Sequence, residues 1–571
     1  MRETLNAAIV ASVRDAIDAG ELPAIEVGDV LVERPRDPAH GDWATNVALV
    51  SARAAGMQPR AVAEIIAARL RERLGETAES VEIAGPGFIN VRLARGVVAD
   101  VVTGIRELGD RFGAAPRTGR RVQVEFVSAN PVGPMHVGHG RWAALGDSIA
   151  RLLDNAGDDV EREFYVNDAG VQMDIFAASV SARYMELAGH DVGFPEDGYR
   201  GAYITEIARE ILEREGERWA GAPAAEREAH FKEQAYAQVL EHLRGVLHEM
   251  GVDFDVWFSE RTLHDAGAIE RGIERLGTAG RVYEQDGALW FASTAFGDDK
   301  DRVLKKADGS YTYFAADVAY HADKFDRGFD LVIDLWGADH HGYVKRMEAA
   351  VAALGHPGQL ELIIGQMVNL FRNGEVVRMS KRTGEMVTFE DLLAEVGPDA
   401  ARYFFLRRST DQPVDFDIAL ARQRSSDNPV FYVQYAHARI CSILRKAAGA
   451  DTADAGVDIA AVAASIQAAP DALSLLGSAP GTHEGDAELG LLRKLGEFPE
   501  VAALAARQRA PHKLTTYSED LAQAFHQFYT HCQVVTDAAD VRSARLALVD
   551  ATRIVLERSL GLLGVSAPQR M

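Results

Sequence analysis

The sequence predicts an α/β protein in three parts: a doubly wound parallel-sheet domain over residues 118–426, an α+β module before it over residues 1–117, and an all-helical domain over residues 427–571. Three observations predict it. Two strand–loop–helix units, one starting at Val122–Val127 and one at Leu331–Leu335, show the β-branched strands and the switch of period that parallel α/β sheets require. A stretch rich in Glu, Arg and Ala at helical spacing, about residues 176–252, separates the two units as a helical insertion. From Asp427 onward the chain is Ala-rich with helical periodicity throughout. At 571 residues it exceeds what one core can organise, since domains average roughly 150 residues.

In the first module, helical spacing runs to about Ala19, and a turn-rich segment follows through Pro35, Pro38 and Gly41. A second helix spans Arg60–Leu74. Val81-Glu82-Ile83 and Phe88–Leu93 flank Gly85-Pro86-Gly87 as two strands about a turn, an amphipathic piece ends near Gly113, and Pro116–Gly119 closes the module. In the central domain the helix after Val122–Val127 places Trp142, Leu145, Ile149 and Leu152 on one face, with Gly157 where a C-cap is wanted. Leu331–Leu335 leads through Gly337–Gly342 into a helix ending at Leu354, and Leu360–Ile364 is a further strand. Asn373-Gly374 between apolar runs predicts a type I′ hairpin. Within the helical domain, the Gly/Ala/Ser/Asp stretch from Ala448 to Asp486 reads as loops.

Composition excludes several classes. No apolar run approaches the ~20 residues that span a bilayer, so no membrane partner is expected. The N-terminus lacks the apolar core and cleavage site of a signal peptide, and cytoplasmic residence is the expectation. Cys441 and Cys532 cannot make a disulfide framework or a thiolate zinc site and are expected as small core residues. The net charge of −24, of which residues 118–425 carry −18, argues against a protein that coats nucleic acid, and no DNA partner is expected. A large folded RNA can still be bound through local basic patches and shape, while much of the acidity serves solubility.

Two segments carry chemistry. His136-Val137-Gly138-His139 stands between a predicted strand and a predicted helix, where backbone N–H groups point at a ligand and histidines can bond phosphate oxygens as charge develops. Gly138 lets a nucleotide approach the backbone. Arg378-Met379-Ser380-Lys381-Arg382-Thr383-Gly384 follows the hairpin directly, with three cations within five residues before a glycine, a loop suited to closing over a polyphosphate. Gly337-Ala338-Asp339-His340-His341-Gly342 offers metal-ligand residue types, yet neighbouring side chains on a short loop do not converge on one ion, so no protein metal site is expected.

The two segments resemble the signature pair of class I aminoacyl-tRNA synthetases, whose catalytic domain is Rossmann-like. The resemblance implies that His136, Gly138 and His139 bind ATP, joined by Arg378, Met379, Ser380 and Lys381, with Lys381 neutralising the departing pyrophosphate. Arg378 stands where the family usually has lysine, exchanging a compact ammonium for a planar fork. His136, His139 and Lys381 are the implied catalytic groups, and Asp339 would meet the ATP ribose and the amino acid. Magnesium would arrive with ATP.

Glu125-Phe126-Val127-Ser128-Ala129-Asn130-Pro131 and Thr312-Tyr313-Phe314-Ala315-Ala316-Asp317-Val318-Ala319-Tyr320-His321 narrow the resemblance to the arginyl-tRNA synthetases. A guanidinium presents five donors in one plane, matched by carboxylates and hydroxyls in fixed positions. Glu125, Tyr313 and Asp317 would read it, and Asn130 the α-amino end, with Asp339 nearby. Tyr313 and Asp317 are four apart, on one helical face.

The flanks are similar to the same family. His40-Gly41-Asp42-Trp43-Ala44-Thr45-Asn46 and Gly85–Asn90 resemble its additional domain for the tRNA elbow, where Phe88 would stack on a base and Asn90 bond an edge, or Phe88 would be a core ring beside a turn. Asn428–Arg439 and Asp550-Ala551-Thr552-Arg553 resemble its anticodon-binding bundle, with Thr552 in place of a leucine. Tyr435 and Arg439, one helical turn apart, are RNA-contact or packing residues. The family implies L-arginine, ATP and tRNA(Arg) as partners, arginyl-adenylate as intermediate, AMP and pyrophosphate as products, and a monomer.

Overall fold

The computed structural model describes residues 2–26, 30–35, 37, 40–377, 387–450, 457–479 and 481–571. In the N-terminal module, α1 (Arg2–Asp18) buries Leu5, Ile9, Val13 and Ala16, a stripe one turn apart. β1 (Val32–Glu33) and β2 (Trp43–Thr45) follow, then α2 (Val47–Ala55), α3 (Pro59–Leu74), β3 (Ala78–Ala84) and β4 (Phe88–Leu93). The sheet is antiparallel in the order β1-β2-β4-β3, with the two predicted strands paired about Gly85-Pro86-Gly87. Its core, from Leu5 to Val91, is separate from that of the rest of the chain. The next helix, α4 (Arg95–Leu108), places Val102 and Ile105 in the main core instead.

The central sheet begins with β5 (Arg121–Glu125), crosses through α5 (Val137–Asn155) to β6 (Asp159–Val166), and then leaves the sheet for three helices, α6 (Val171–Leu187), α7 (Ala202–Glu215) and α8 (Ala224–Glu249). The chain returns at β7 (Val256–Ser259), followed by α9 (Arg261–Asp265) and α10 (Ala268–Thr278). A small antiparallel sheet that the sequence reading did not foresee follows, of β8 (Val282–Gln285), β9 (Ala288–Phe291) and β10 (Arg302–Lys305). Then α11 (Tyr313–Asp326), β11 (Leu331–Gly337), α12 (Val344–Ala353) and β12 (Leu360–Gly365) complete the five-stranded parallel sheet, in the order β12-β11-β5-β6-β7. The order reverses at β5, whose neighbours are β6 on one side and β11 on the other. That reversal opens a crevice at the carboxyl ends of these strands.

The Asn373-Gly374 turn connects β13 (Val368–Arg372) to β14 (Glu375–Val376), with both turn residues at positive φ (53° and 82°), as a type I′ hairpin demands. Past the segment outside the described residues come α13 (Phe389–Val396), α14 (Pro398–Leu406), β15 (Val414–Asp417), which pairs parallel with β13, and α15 (Ile418–Ala421). The helical domain comprises α16 (Pro429–Ala447), α17 (Ile459–Ser465), α18 (Pro470–Leu473), α19 (His483–Gln508), α20 (His512–His531) and α21 (Ala539–Leu562). The stretch read as loops thus contains α17 and α18, short helices that bury Ile459, Ala463, Ala472 and Leu473. Two Asp458 contacts, to the Ala460 and Ala461 amides, cap the first of them.

One core runs from the parallel sheet into this domain. Arg402 is buried at the junction, pairing with Asp147 and donating to the Leu563 carbonyl at 3.0 Å. Asp550 of the Asp-Ala-Thr-Arg sequence is also a structural residue: it pairs with Arg106 of α4 and Arg553 of its own helix, each at 3.0 Å. Cys441 and Cys532 are both buried thiols.

Candidate active site

β5 ends at Glu125, and the chain turns sharply through Val127 and Ser128, both at positive φ (68° and 43°). For residues with a Cβ such a backbone costs about 1–2 kcal/mol each. The geometry it enforces has a use. Ser128 Oγ donates to Glu125 Oε1 at 2.9 Å and accepts the Tyr165 amide of β6 at 3.2 Å, locking the start of the loop between two strands. Further along, Asn130 Nδ2 donates to Gln172 Oε1 at 3.1 Å, and Tyr203 of α7 donates to the Val132 carbonyl at 2.8 Å. The helical insertion therefore holds this loop from both sides.

His136 is the N-cap of α5. Its Nδ1 accepts the Gly138 amide at 3.1 Å, while His139 Nδ1 accepts the His136 amide at 3.2 Å, a reciprocal cap built from two histidines. The rings stack at 3.7 Å. With each Nδ1 accepting a backbone N–H, the ring proton sits on Nε2, the tautomer that donates. Trp142 lies flat over Gly365 at the end of β12, where a Cβ would come within 1.9 Å of the indole.

On the other flank, α11 starts at Tyr313, which is 81% exposed in the cleft, and carries Asp317 one turn on. Burial pushes the Asp317 carboxyl up to about 7, against the pull of His321 and with the negative charges of Glu260 and Glu125 adding to the rise. Burial also raises Glu125, opposed by Lys324. Asp334 on β11 is held down to about 2: burial opposes its charge, and Lys324 and His321 outweigh that. Asp339 lies past β11 on a short 3-10 turn, its carboxylate largely exposed and 3.5 Å from His340. Among the described residues no group of three or more His, Cys, Asp or Glu is placed to hold a metal.

One cleft of about 2620 Å³ gathers Glu125, Asn130, His136, Gly138, His139, Tyr313, Asp317 and Asp339, every described residue of this domain that the sequence singled out. Arg378, Met379, Ser380 and Lys381 lie outside the described residues. Their exit does not: Thr388 forms an antiparallel bridge with His136.

The RNA candidates lie elsewhere. Phe88 is 36% exposed at the tip of the β3–β4 hairpin, and Asn90, two residues along the same face, is buried. Arg439 hydrogen-bonds the Tyr435 hydroxyl and lies 5.1 Å from that ring and 5.4 Å from Tyr529. Tyr529 escaped the sequence reading, as did Tyr203, Glu260, Lys324 and Asp334, while His321 stands in a quoted motif with no role of its own. A signal for part of this set was present: Asp317, His321 and Lys324 recur at i, i+4 and i+7, on one face of the helix.

Comparison with known proteins matches three consecutive family models: the arginyl tRNA synthetase N terminal domain over residues 3–93, the catalytic domain of tRNA synthetases class I (R) over residues 103–412, and the DALR anticodon binding domain over residues 433–571. The chain is 48% identical to the arginine–tRNA ligase of Heliobacterium modesticaldum, covering 100% of this chain and 99% of that one. It is 49% identical to that of Geobacillus kaustophilus, covering 97% of each. In fold it is similar to the Thermus thermophilus arginyl-tRNA synthetase, at a TM-score of 0.72 and 23% identity over the full length of both chains.

Proposed function

The chain belongs to the class I arginyl-tRNA synthetases, and from that premise we propose how its residues divide the work of joining arginine to tRNA(Arg). A carboxylate oxygen of arginine attacks the α-phosphorus of ATP in line. The bond to the bridging oxygen breaks, pyrophosphate leaves with its electron pair, and arginyl-adenylate remains. A terminal ribose hydroxyl of the tRNA then attacks the adenylate carbonyl, gives up its proton, and AMP departs.

No protein nucleophile is needed, so catalysis lies in placement and charge. His136 and His139 donate from Nε2 to phosphate oxygens, and Gly138 admits the nucleotide to the N-terminus of α5, whose dipole favours anions. Lys381 neutralises the leaving pyrophosphate, with Arg378, Met379 and Ser380 completing that loop. Magnesium enters on the ATP phosphates as part of the substrate. Glu125, Tyr313 and Asp317 take the guanidinium, Asn130 the α-amino group, and Asp339 the ribose and amino acid. Phe88, with Asn90 behind it, meets the tRNA elbow, and Tyr435 and Arg439 meet the anticodon arm. The domains divide at 1–117, 118–426 with the insertion at about 176–252, and 427–571; the acting form is a cytoplasmic monomer.

The observation that carries this reading is the cleft itself, with paired histidines at one helix N-terminus facing buried acids whose charge an arginine side chain would balance. ATP–pyrophosphate exchange with arginine, with and without tRNA(Arg), tests it, with lysine and citrulline as competitors. Exchange with arginine is expected, falling about a hundredfold or more in His139→Ala and Lys381→Ala, with the fold retained in both and a melting temperature lowered only modestly in His139→Ala, which also loses a cap. Exchange with another amino acid but not with arginine plus tRNA would overturn the assignment.

A further inference from the structure

Three carboxylates stand in a row across the centre of the sheet. Strand register pairs Asp334 of β11 with Glu125 of β5, and Glu125 with Glu163 of β6. Neighbouring parallel strands are about 4.8 Å apart, and like charges at that separation in a buried site cannot all ionise without counter-ions. α11 lies across this row and supplies them. Glu163 receives Arg327 at 2.5 Å and the Tyr320 hydroxyl at 2.5 Å. Asp334 receives His321 at 2.9 Å and Lys324 at 2.8 Å. Glu125, the middle member and one that lines the cleft, has one cation partner among the described residues, Lys324, at 2.5 Å.

Lys324 is wholly buried, its ammonium between the two carboxylates and 4.4 Å from the centre of the Tyr320 ring. An ammonium at 0% exposure is far from its preferred solvent and persists only because both acids surround it. With Lys324 on one Glu125 oxygen and Ser128 on the other, that carboxylate has one orientation.

We infer that Lys324 is a positioning residue for the arginine pocket: from the protein interior it holds the Glu125 carboxylate in one orientation and balances its charge, so that the group can meet a guanidinium arriving from the cleft. This rests on the reading of Glu125 as an arginine contact. Lys324 is not among the residues that line the cleft. The other ionisable groups that act on Glu125 are Asp334 on β11, Glu163 and Tyr165 on β6, and Asp317 and Tyr320 on α11, and none of them supplies a positive charge.

The test is the arginine KM in ATP–pyrophosphate exchange with tRNA(Arg) present, from pH 6.5 to 9, for the parent, Lys324→Met and Lys324→Met/Asp334→Asn. Without its ammonium, Glu125 sits between two carboxylates and holds its proton to higher pH than in the parent. Lys324→Met should therefore raise the arginine KM at least tenfold at pH 7, recover as pH rises through a range above the parent's, and leave the ATP KM within twofold. The double variant removes the charge imbalance, so it should fold even if the single one fails to; its pH profile should return toward the parent's while the KM stays several-fold raised, because Glu125 has lost its anchor. A parent-like arginine KM and pH profile in either folded variant would overturn the inference. A parent enzyme that activates no arginine would instead sink the reading on which the inference rests.

Discussion

His136 and Thr388 face one another across an antiparallel bridge, and beside it the Phe389 amide donates to the Met135 carbonyl at 2.9 Å. The chain leaving the second signature is thereby sewn to the residue that opens the first. Thr388 also caps α13, its Oγ1 accepting the Asp391 amide at 3.0 Å while the Asp391 carboxylate accepts the Thr388 amide at 2.9 Å. The start of α5 and the start of α13 thus share one seam.

Gly140 underlies that seam: a Cβ there would stand 2.2 Å from the ring of Phe389, which is fully buried. Gly→Ala inside a helix normally stabilises by about 1 kcal/mol. Overpacking a buried contact costs about 1–3 kcal/mol. Gly140→Ala should therefore be neutral to destabilising in urea unfolding rather than stabilising, and it should raise the ATP KM more than the arginine KM. A gain in stability with unchanged ATP KM would show that the seam yields freely.

Asp317 gives the pocket a pH dependence with a definite sign. Its carboxyl titrates at about 7 in the empty enzyme, raised mainly by burial, and only the carboxylate pairs with a guanidinium. Arginine affinity should fall about tenfold per unit as pH drops below 7, and level off above it. The same raised value means that the folded chain binds a proton more tightly than the unfolded one, so this group's contribution to stability is full at acid pH and lost as pH rises through about 7. Asp317→Asn should melt higher than the parent at pH 8 while binding arginine poorly at every pH. Isothermal titration with arginine from pH 6 to 8.5 and melting curves at pH 6 and 8 check both halves.

Much of this was legible in the sequence because it is local. The Asn373-Gly374 hairpin, the strand opening at Val122 and the α5 face of Leu145, Ile149 and Leu152 follow from turn chemistry and period alone, although that strand ends at Glu125 and not at Val127, which takes a positive φ. What escaped depends on partners far apart in the chain. Lys324 meets Glu125 across 199 positions, and Arg106 meets Asp550 across 444, so neither pair leaves a trace in spacing. The Asp-Ala-Thr-Arg sequence could be matched to a family, but its work, tying α21 to α4, is visible only in the packing. The antiparallel strands at Val282–Lys305 escaped for a different reason: each is four residues long, too short for alternation to register.

The helical insertion should influence the arginine site through Tyr203. Its hydroxyl holds the Val132 carbonyl at 2.8 Å, and its ring packs where a Cβ on Gly133 would come within 2.7 Å of the hydroxyl oxygen. Tyr203→Phe keeps the ring and removes one hydrogen bond, worth about 1 kcal/mol net. If that energy holds the Asn130–Pro134 loop in place, the arginine KM should rise about fivefold, while the melting temperature and the ATP KM barely move. Steady-state exchange kinetics decide it, and an unchanged arginine KM would mean that Gln172 holds the loop alone.

Asp42 fastens the N-terminal module to the rest of the chain. One carboxylate oxygen accepts Arg493 of α19 at 2.6 Å and the other accepts the Leu93 amide at 2.8 Å, with the Asp42 side chain 2% exposed and Arg493 26% exposed. The module's own core does not extend past Val91, so this pair is a principal polar link between two separately packed bodies. Breaking a buried pair from one side costs on the order of 3 kcal/mol. Asp42→Ala should spend that energy locally: the main melting transition stays put, while protease cuts sooner between Leu93 and Arg95, where the module joins α4. Because Phe88 rides on the same sheet, the KM for tRNA(Arg) in aminoacylation should rise several-fold, with arginine and ATP values unchanged. Arg493→Ala should reproduce the effect from the other side, and a double variant no worse than either single one would show that the two residues act as a pair. Fully additive losses would mean that each holds the module through contacts of its own.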